Sequence, residues 1–97
     1  MRIIPEPIVF DWDEGNSDKN FVKHKVSVQE AEEVFGNEPL IIVEDIYHSQ
    51  KEQRYQGMGK TNSNRLLFAS FTIRKGQIRI ISIRNMSKKE KNKYEKV

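Results

Sequence analysis

The chain has 97 residues, of which 36% are apolar and 32% are charged. We expect a single domain over residues 1–97, because a second hydrophobic core would have too few residues to bury. Since the sequence contains no cysteine, it has no disulfide framework, no thiolate metal site and no thiol nucleophile. Segment 1–7 is too short and interrupted for a secretory signal, and no apolar run approaches the ~20 residues of a membrane span. These features predict a soluble cytoplasmic protein.

Basic residues are concentrated in the C-terminal half of the chain. Seventeen Lys and Arg against 14 Asp and Glu give a net charge of only +3, but after residue 60 only Glu90 and Glu95 oppose the cations. Clustered cations favour a polyanion such as RNA as partner, since they displace condensed counterions from phosphate. A merely solvated surface accounts for the charge equally well.

The N-terminal residues predict a strand followed by a helix. The short apolar run Ile8–Trp12 predicts the strand, and Asp13 is a suitable N-cap for a helix over about residues 14–25. Phe21 and His24 lie three residues apart and predict a weak apolar stripe along this helix.

A second helix is marked more clearly. Ser27 and Glu30 have the spacing of a capping box, and Gly36 followed by Asn37 predicts the helix end. Its core stripe consists of Val28, Ala31, Val34 and Phe35.

The remaining chain predicts four strands and a terminal helix. The strands are Leu40–Ile46, Gln53–Gly59, Leu66–Ile73 and Gln77–Arg84. Their short connections favour an antiparallel meander, because parallel neighbours need crossovers of a dozen residues or more. Ser87 begins a charged helix in which only Tyr94 and Val97 are apolar near the end, so we expect it to bury little on this domain. Its charges are most simply a solvated helix face, and partner binding is the alternative role.

The predicted fold class is α+β: a small antiparallel β-sheet of four to five strands with two N-terminal helices and one C-terminal helix. Two helices can cover only one face of such a sheet, so the other face or a rim stays open to a ligand.

No cofactor or metal site is expected. The two histidines are 24 residues apart, no HisGluXXHis motif is present, and the glycines form no phosphate cradle. A Ser-His-Asp site is disfavoured because the chain has no nucleophile elbow.

The candidate chemistry is cationic. Cleaving RNA without a metal requires in-line attack by a 2′-hydroxyl, a group that accepts its proton, and cations that stabilise the charged transition state. Arginine suits the phosphate clamp because its planar fork makes bidentate contacts. The candidate side chains are Lys23, His24, Arg54, Tyr55, Arg79 and Arg84.

Each candidate also has a structural explanation. His24 can be a helix-packing residue, and an arginine on a strand is usually a solvated edge residue. Period-two alternation separates Arg79 from Arg84, so the two cannot face one groove unless the strand twists, bulges or ends near Arg84.

Several motifs in order resemble the BrnT toxin family over nearly the whole chain from Val9. They are FDWD at 10–13, NFVKH at 20–24, SVQEA at 27–31, VF at 34–35, the segment from Glu52 through Arg54 and Tyr55 to Gly59, RLL at 65–67, RIISIR at 79–84, Glu90 and YE at 94–95.

The resemblance implies a RelE-like fold and metal-independent RNA endonuclease activity that restrains translation. It also implies a neutralising BrnA-like antitoxin, through which the complex binds operator DNA. Carried over by position, the implied catalytic set is Lys23, His24, Arg54, Arg79 and Arg84. We infer the arginines as phosphate clamps and His24 or Lys23 as the proton-handling group. Lys25, Tyr55 and Arg65 are the expected RNA-binding residues.

Two of the departures from the family pattern are at Lys25 and Asn64, where the family usually has glycine; the loop after VF is also one residue longer, and SIRNM replaces the commoner SAR-type ending. Lys25 and Asn64 are therefore both expected in left-handed backbone, which asparagine tolerates better than lysine.

A rival hypothesis is a non-catalytic RNA- or protein-binding module that keeps the fold. A neighbouring open reading frame with a ribbon-helix-helix pattern would favour the toxin.

Overall fold

The computed structural model describes residues 4–97 and folds them into three α-helices and a four-stranded sheet. The helices are α1 (Glu14–His24), α2 (Val28–Gly36) and α3 (Lys88–Glu95). The strands are β1 (Ile41–Glu44), β2 (Arg54–Lys60), β3 (Leu66–Arg74) and β4 (Gln77–Asn85), with a 3₁₀ turn at Ile46–His48 after β1. The predicted α+β class and helix placement are confirmed. Residues 1–3, which open the N-terminal segment 1–7, lie outside the described range.

The sheet has the order β1-β2-β3-β4, and every neighbouring pair is antiparallel. Lys75 and Gly76 join β3 to β4 with φ values of 52° and 76°, as a two-residue hairpin turn of type I′ requires. The predicted first strand of the meander is too long, since β1 ends at Glu44. There Asp45 caps the 3₁₀ turn by accepting a hydrogen bond from the backbone N–H of His48 at 3.3 Å.

The predicted strand Ile8–Trp12 is wrong as an element. Among the described residues it forms a single parallel bridge, between Phe10 and Ile78. Two backbone hydrogen bonds of 2.8 Å join Ile78 to the residues on either side of Phe10. The segment cannot continue along β4, because Asp13 starts α1 and that helix occupies the next part of the strand edge.

The predicted apolar stripe of α1 is also wrong. Its buried residues are Asn16 and Asn20, whereas Phe21 is 54% exposed. The amide of Asn16 donates to the Ile80 carbonyl at 3.1 Å, and the Ile83 backbone N–H donates to the Asn20 side chain at 3.0 Å. Thus α1 runs along the edge of β4 and satisfies backbone groups that an edge strand would leave unpaired.

Helix α2 covers one face of the sheet through Ala31, Val34 and Phe35, as predicted. The fourth residue of the predicted core stripe, Val28, is 37% exposed, so that part of the prediction is wrong. This inner face carries the buried side chains Leu67, Ala69, Phe71, Ile78, Ile80 and Ile83, and Val26, Ala31, Val34 and Phe35 complete the core. A Cβ atom at Gly59 would lie 2.8 Å from Cγ1 of Val34, so only glycine allows this approach of α2 to β2. We call the opposite side of the sheet the outer face.

Helix α3 packs onto this domain, which corrects the expectation that it buries little here. Tyr94 is 5% exposed, and its hydroxyl donates to the Pro39 carbonyl at 2.6 Å. Glu90, near the start of α3, binds Arg84 near the end of β4. The helix therefore bridges the sheet end formed by the start of β1 and the end of β4, which we call the α3 end.

Candidate active site

A β-bulge in β4 brings two predicted arginines to the same face of the sheet. Ser82 pairs with Ser70, but Ile80 pairs with Phe71, so Ile81 is an extra residue in the ladder. Beyond a bulge the alternation of side chains is reversed. Ile78, Ile80 and Ile83 are consequently all buried in the core, while Arg79 and Arg84 both lie on the outer face.

Arg54 and Arg79 form a row across the outer face. Both are register partners of Thr72, from β2 on one side and from β4 on the other. With neighbouring strands about 4.8 Å apart, their Cα atoms are separated by about 10 Å. Side chains as long as arginine can converge on one phosphate from that distance.

An open pocket of about 570 Å³ adjoins Arg54 at this end of the sheet, opposite the α3 end. We call it the pocket end. The residues that line the pocket are Tyr47, His48, Gln50, Lys51, Glu52, Arg54 and Arg74.

Carboxylates hold two of the arginines at the pocket end. Glu52 binds Arg74 through hydrogen bonds of 2.7 and 2.8 Å. The pKa of Glu52 is lowered chiefly by Arg74, with smaller contributions from the charges of Arg54 and Arg79. Arg79 in turn lies 3.1 Å from a carboxylate oxygen of Asp13 and 3.5 Å from one of Asp11. Arg79 thereby ties the N-terminal segment to β4.

Arg54 differs from these arginines. Among residues 4–97 its guanidinium makes no hydrogen bond or ion pair, although its backbone pairs with β3 and with Ser49. It is therefore the pocket arginine whose five N–H donors are available to a ligand.

Arg84 lies at the α3 end, away from the pocket. It is five residues along β4 from Arg79, a separation of about 15 Å. Glu90 accepts its hydrogen bonds at 2.8 and 3.0 Å, and the guanidinium lies 4.4 Å from the centre of the Phe68 ring. Glu90 raises the pKa of Arg84 and Arg84 lowers the pKa of Glu90. This pair anchors α3.

Lys23 and His24 also lie at the α3 end, because α1 runs in the same direction as β4 and ends beyond Ile83. The predicted set is therefore divided. The structure brings Arg54 and Arg79 together at the pocket end, whereas Lys23, His24 and Arg84 lie at the other end of the sheet.

Arg65 fastens the end of α1. Its guanidinium donates to the carbonyls of His24 and Lys25 at 3.2 and 2.8 Å and to both carboxylate oxygens of Glu30. Its Nε donates to the Asn85 side chain at 2.9 Å. The pKa of Glu30 is lowered, chiefly by the hydrogen bond that it accepts from the Ser27 backbone N–H and next by the one from Arg65. Together these contacts outweigh burial, which raises the pKa. These contacts make Arg65 a structural clamp between α1, α2 and the sheet.

Tyr55 lies on the inner face, opposite Arg54. Its ring stacks on that of Phe71 with 5.5 Å between ring centres, and it packs against the hydrophobic core. An RNA base on the outer face would not reach this ring.

Sequence reasoning missed the pair of Asp45 and His48. Nδ1 of His48 lies 2.9 Å from Oδ2 of Asp45, and the histidine lines the pocket. Burial raises the pKa of Asp45, but its hydrogen bond and charge interaction with His48 lower it more, so the net shift is downward. The spacing Asp-X-X-His, which begins inside the predicted strand Leu40–Ile46 and ends two residues after it, was the available signal.

Within residues 4–97, no group of three or more His, Cys, Asp or Glu side chains is arranged to hold a metal ion. The helices in this part of the chain are all too short or too polar to cross a membrane.

The fold and this site define a small α+β protein with a cationic pocket beside one end of an antiparallel sheet. Residues 12–90 match the sequence model of a family described as ribonuclease toxin, BrnT, of type II toxin-antitoxin system. The chain belongs to this family, whose description implies an RNA target and an antitoxin partner. None of the curated proteins compared with the chain matches it.

Proposed function

We propose that the protein is a metal-independent RNA endonuclease that inhibits translation by cleaving RNA at the pocket end of the sheet. The observation that carries the proposal is Arg54, a guanidinium with no side-chain partner among the described residues, beside an open pocket and across Thr72 from Arg79.

Phosphate binding follows from the chemistry of this end. Arg54 offers a planar set of donors that matches two phosphate oxygens. Arg74 and Arg79 lie nearby as guanidinium groups that their carboxylate partners hold in place and whose charge those partners offset. Preorganised donors of this kind stabilise the extra negative charge that develops on phosphorus-bound oxygens during in-line attack.

The cations at the α3 end have a different proposed role. The two ends of the sheet are separated by about 15 Å along a strand, so these cations cannot contact the phosphate that Arg54 binds. Lys23, His24 and Lys25 would bind the RNA chain beyond the scissile phosphate, and Arg84 would join them only by exchanging Glu90 for a phosphate.

A BrnA-like antitoxin is the proposed partner, and the complex would bind operator DNA only through that antitoxin. Ile46 and Tyr47 support contact at the pocket end, because they are 77% and 89% exposed beside the pocket. A protein that covers them would bury apolar surface and exclude RNA from the pocket at the same time.

The test of the proposed function is cleavage of a defined RNA transcript by the purified chain in excess EDTA. Arg54→Ala is expected to reduce the cleavage rate about 100-fold, as loss of a transition-state donor typically does. Arg54→Lys should recover only part of the rate, because ammonium lacks the bidentate fork. Lys91→Ala, which removes an exposed positive charge from α3, is the matched control and should cleave like the wild type.

Two results would contradict the proposal. Cleavage that disappears in EDTA and returns with Mg²⁺ would refute metal independence. RNA binding without cleavage, in a chain that arrests no growth when expressed without its antitoxin, would support the rival binding module instead.

A further inference from the structure

We infer that His48, held by Asp45, takes the proton from the attacking 2′-hydroxyl of an RNA substrate bound in the pocket. This inference rests on the proposed ribonuclease function and moves proton transfer from the expected Lys23 or His24 to the other end of the sheet.

The position of His48 meets the first requirement, access to the substrate. The residue ends the 3₁₀ turn after β1, and its side chain is 65% exposed. It lines the same pocket as Arg54, so a phosphate held by that arginine would share the pocket with the imidazole.

The pairing with Asp45 meets the second requirement, a defined proton acceptor. A carboxylate only accepts hydrogen bonds, so the contact of 2.9 Å between Asp45 and Nδ1 of His48 means that Nδ1 carries the hydrogen. In neutral imidazole the other nitrogen, Nε2, then has the free lone pair. Asp45 acts as a positioning residue that fixes the tautomer and stabilises the imidazolium that forms.

Asp45 is itself held in place by the fold. Its side chain is only 9% exposed, and it accepts a further hydrogen bond from the Gln56 amide of β2 at 3.4 Å. Because its pKa is lowered on balance by these contacts despite burial, the carboxylate stays ionised at neutral pH.

Glu52 is the other carboxylate at the pocket, and its contacts make it a poor base. Arg74 occupies both of its oxygens and lowers its pKa, so it has little affinity for a proton. The remaining charged or titratable groups that face the pocket with His48 are Tyr47, Lys51, Arg54 and Arg74.

The proposed step balances without any co-reactant except water. The 2′-oxygen forms a bond to phosphorus while the bond from phosphorus to the 5′-oxygen breaks. The 2′-hydroxyl proton moves to Nε2 of His48, and the departing 5′-oxygen takes a proton from water. The hydroxide left behind accepts the proton from His48, which restores the neutral imidazole and leaves a 2′,3′-cyclic phosphate.

The experiment compares His48→Gln with His24→Gln in steady-state cleavage of a defined RNA transcript by the full-length protein. His48→Gln is expected to lower kcat about 100-fold or more, the usual contribution of a general base, with little change in KM. His24→Gln should act mainly on KM, because His24 lies at the α3 end. Circular dichroism checks that each variant is folded.

Chemical rescue separates a proton-transfer role from a structural one. Added imidazole should restore cleavage by His48→Ala in proportion to its concentration. A folded His48→Gln variant with wild-type kcat, a loss of kcat in His24→Gln instead, or a His48→Ala variant that imidazole does not restore would each overturn the inference. If the wild type does not cleave RNA at all, the proposed function fails as well, so the two failures are distinguishable.

Discussion

Single residues determine how the end of α1 is built. Lys25, which ends α1, has a φ of 57°. Asn64, the residue before Arg65, has a φ of 64°. The resemblance to a family with glycine at both positions predicts this left-handed backbone correctly. At Lys25 the conformation carries a side chain that it disfavours, and the carbonyl of that residue is held by Arg65 at 2.8 Å.

Replacing Lys25 by glycine should therefore stabilise the protein. We expect Lys25→Gly to raise the free energy of unfolding by about 0.5–1 kcal/mol, because glycine adopts left-handed backbone without a Cβ clash. Lys23→Gly, inside α1, is the control and should lower that free energy by about 1 kcal/mol. Denaturant unfolding measures both, and a destabilised Lys25→Gly variant would show that the backbone here is unstrained.

Other single residues could not be assigned from sequence. Asp45 and His48 meet because β1 ends at Glu44 and a turn follows. The apolar run through Ile46 predicts a longer strand, in which side chains three residues apart would point to opposite faces. Likewise, Arg65 resembles an RNA-binding cation in sequence, since nothing in its neighbourhood along the chain reveals Glu30 as its partner.

At the scale of elements, the sequence predicts helices from their caps and strands from their turns. The three capping residues Asp13, Ser27 and Ser87 all accept the expected backbone hydrogen bond. The bulge in β4 could not be located, because Ile80 and Ile81 are equally suited to the core. The orientation of α1 was also missed, since asparagine amides bound to a strand edge leave no hydrophobic periodicity.

Helix α3 depends on the ion pair between Glu90 and Arg84, which should give stability a pH dependence. Arg84 lowers the pKa of Glu90 below its ordinary 4.5, so the pair stabilises the fold fully above that pH. The contribution is lost as pH falls through the lower pKa of the folded state. Glu90→Gln should cost about 0.5–1 kcal/mol at pH 7 and differ less from the wild type near pH 3.

Thermal unfolding across this pH range measures the effect, and Glu95→Gln on the same helix is the matched control. The control should follow the wild type at every pH, since Glu95 is exposed. An equal loss in Glu90→Gln at both pH extremes would contradict the ion-pair role, because glutamine keeps the capping-box acceptor for the Ser87 backbone N–H and removes only the charge.

At the scale of the whole molecule, the two ends of the sheet have different chemistry. The α3 end is stabilised by contacts among Arg65, Arg84, Glu30 and Glu90, which occupy its arginines. The pocket end keeps Arg54 and His48 accessible. The sequence predicted cations on the sheet but not this division, because it arises from the direction of α1 and from strand register.

Metal-independent RNA cleavage at the pocket end can be tested through the chemistry of the new RNA ends. The wild-type chain is incubated with RNA in excess EDTA, and the fragment ends are identified. We expect 2′,3′-cyclic phosphates and 5′-hydroxyls, and an RNA with a 2′-deoxy sugar at the cleaved position should resist cleavage. Cleavage that requires Mg²⁺, leaves 5′-phosphates or proceeds equally on the 2′-deoxy substrate would contradict it.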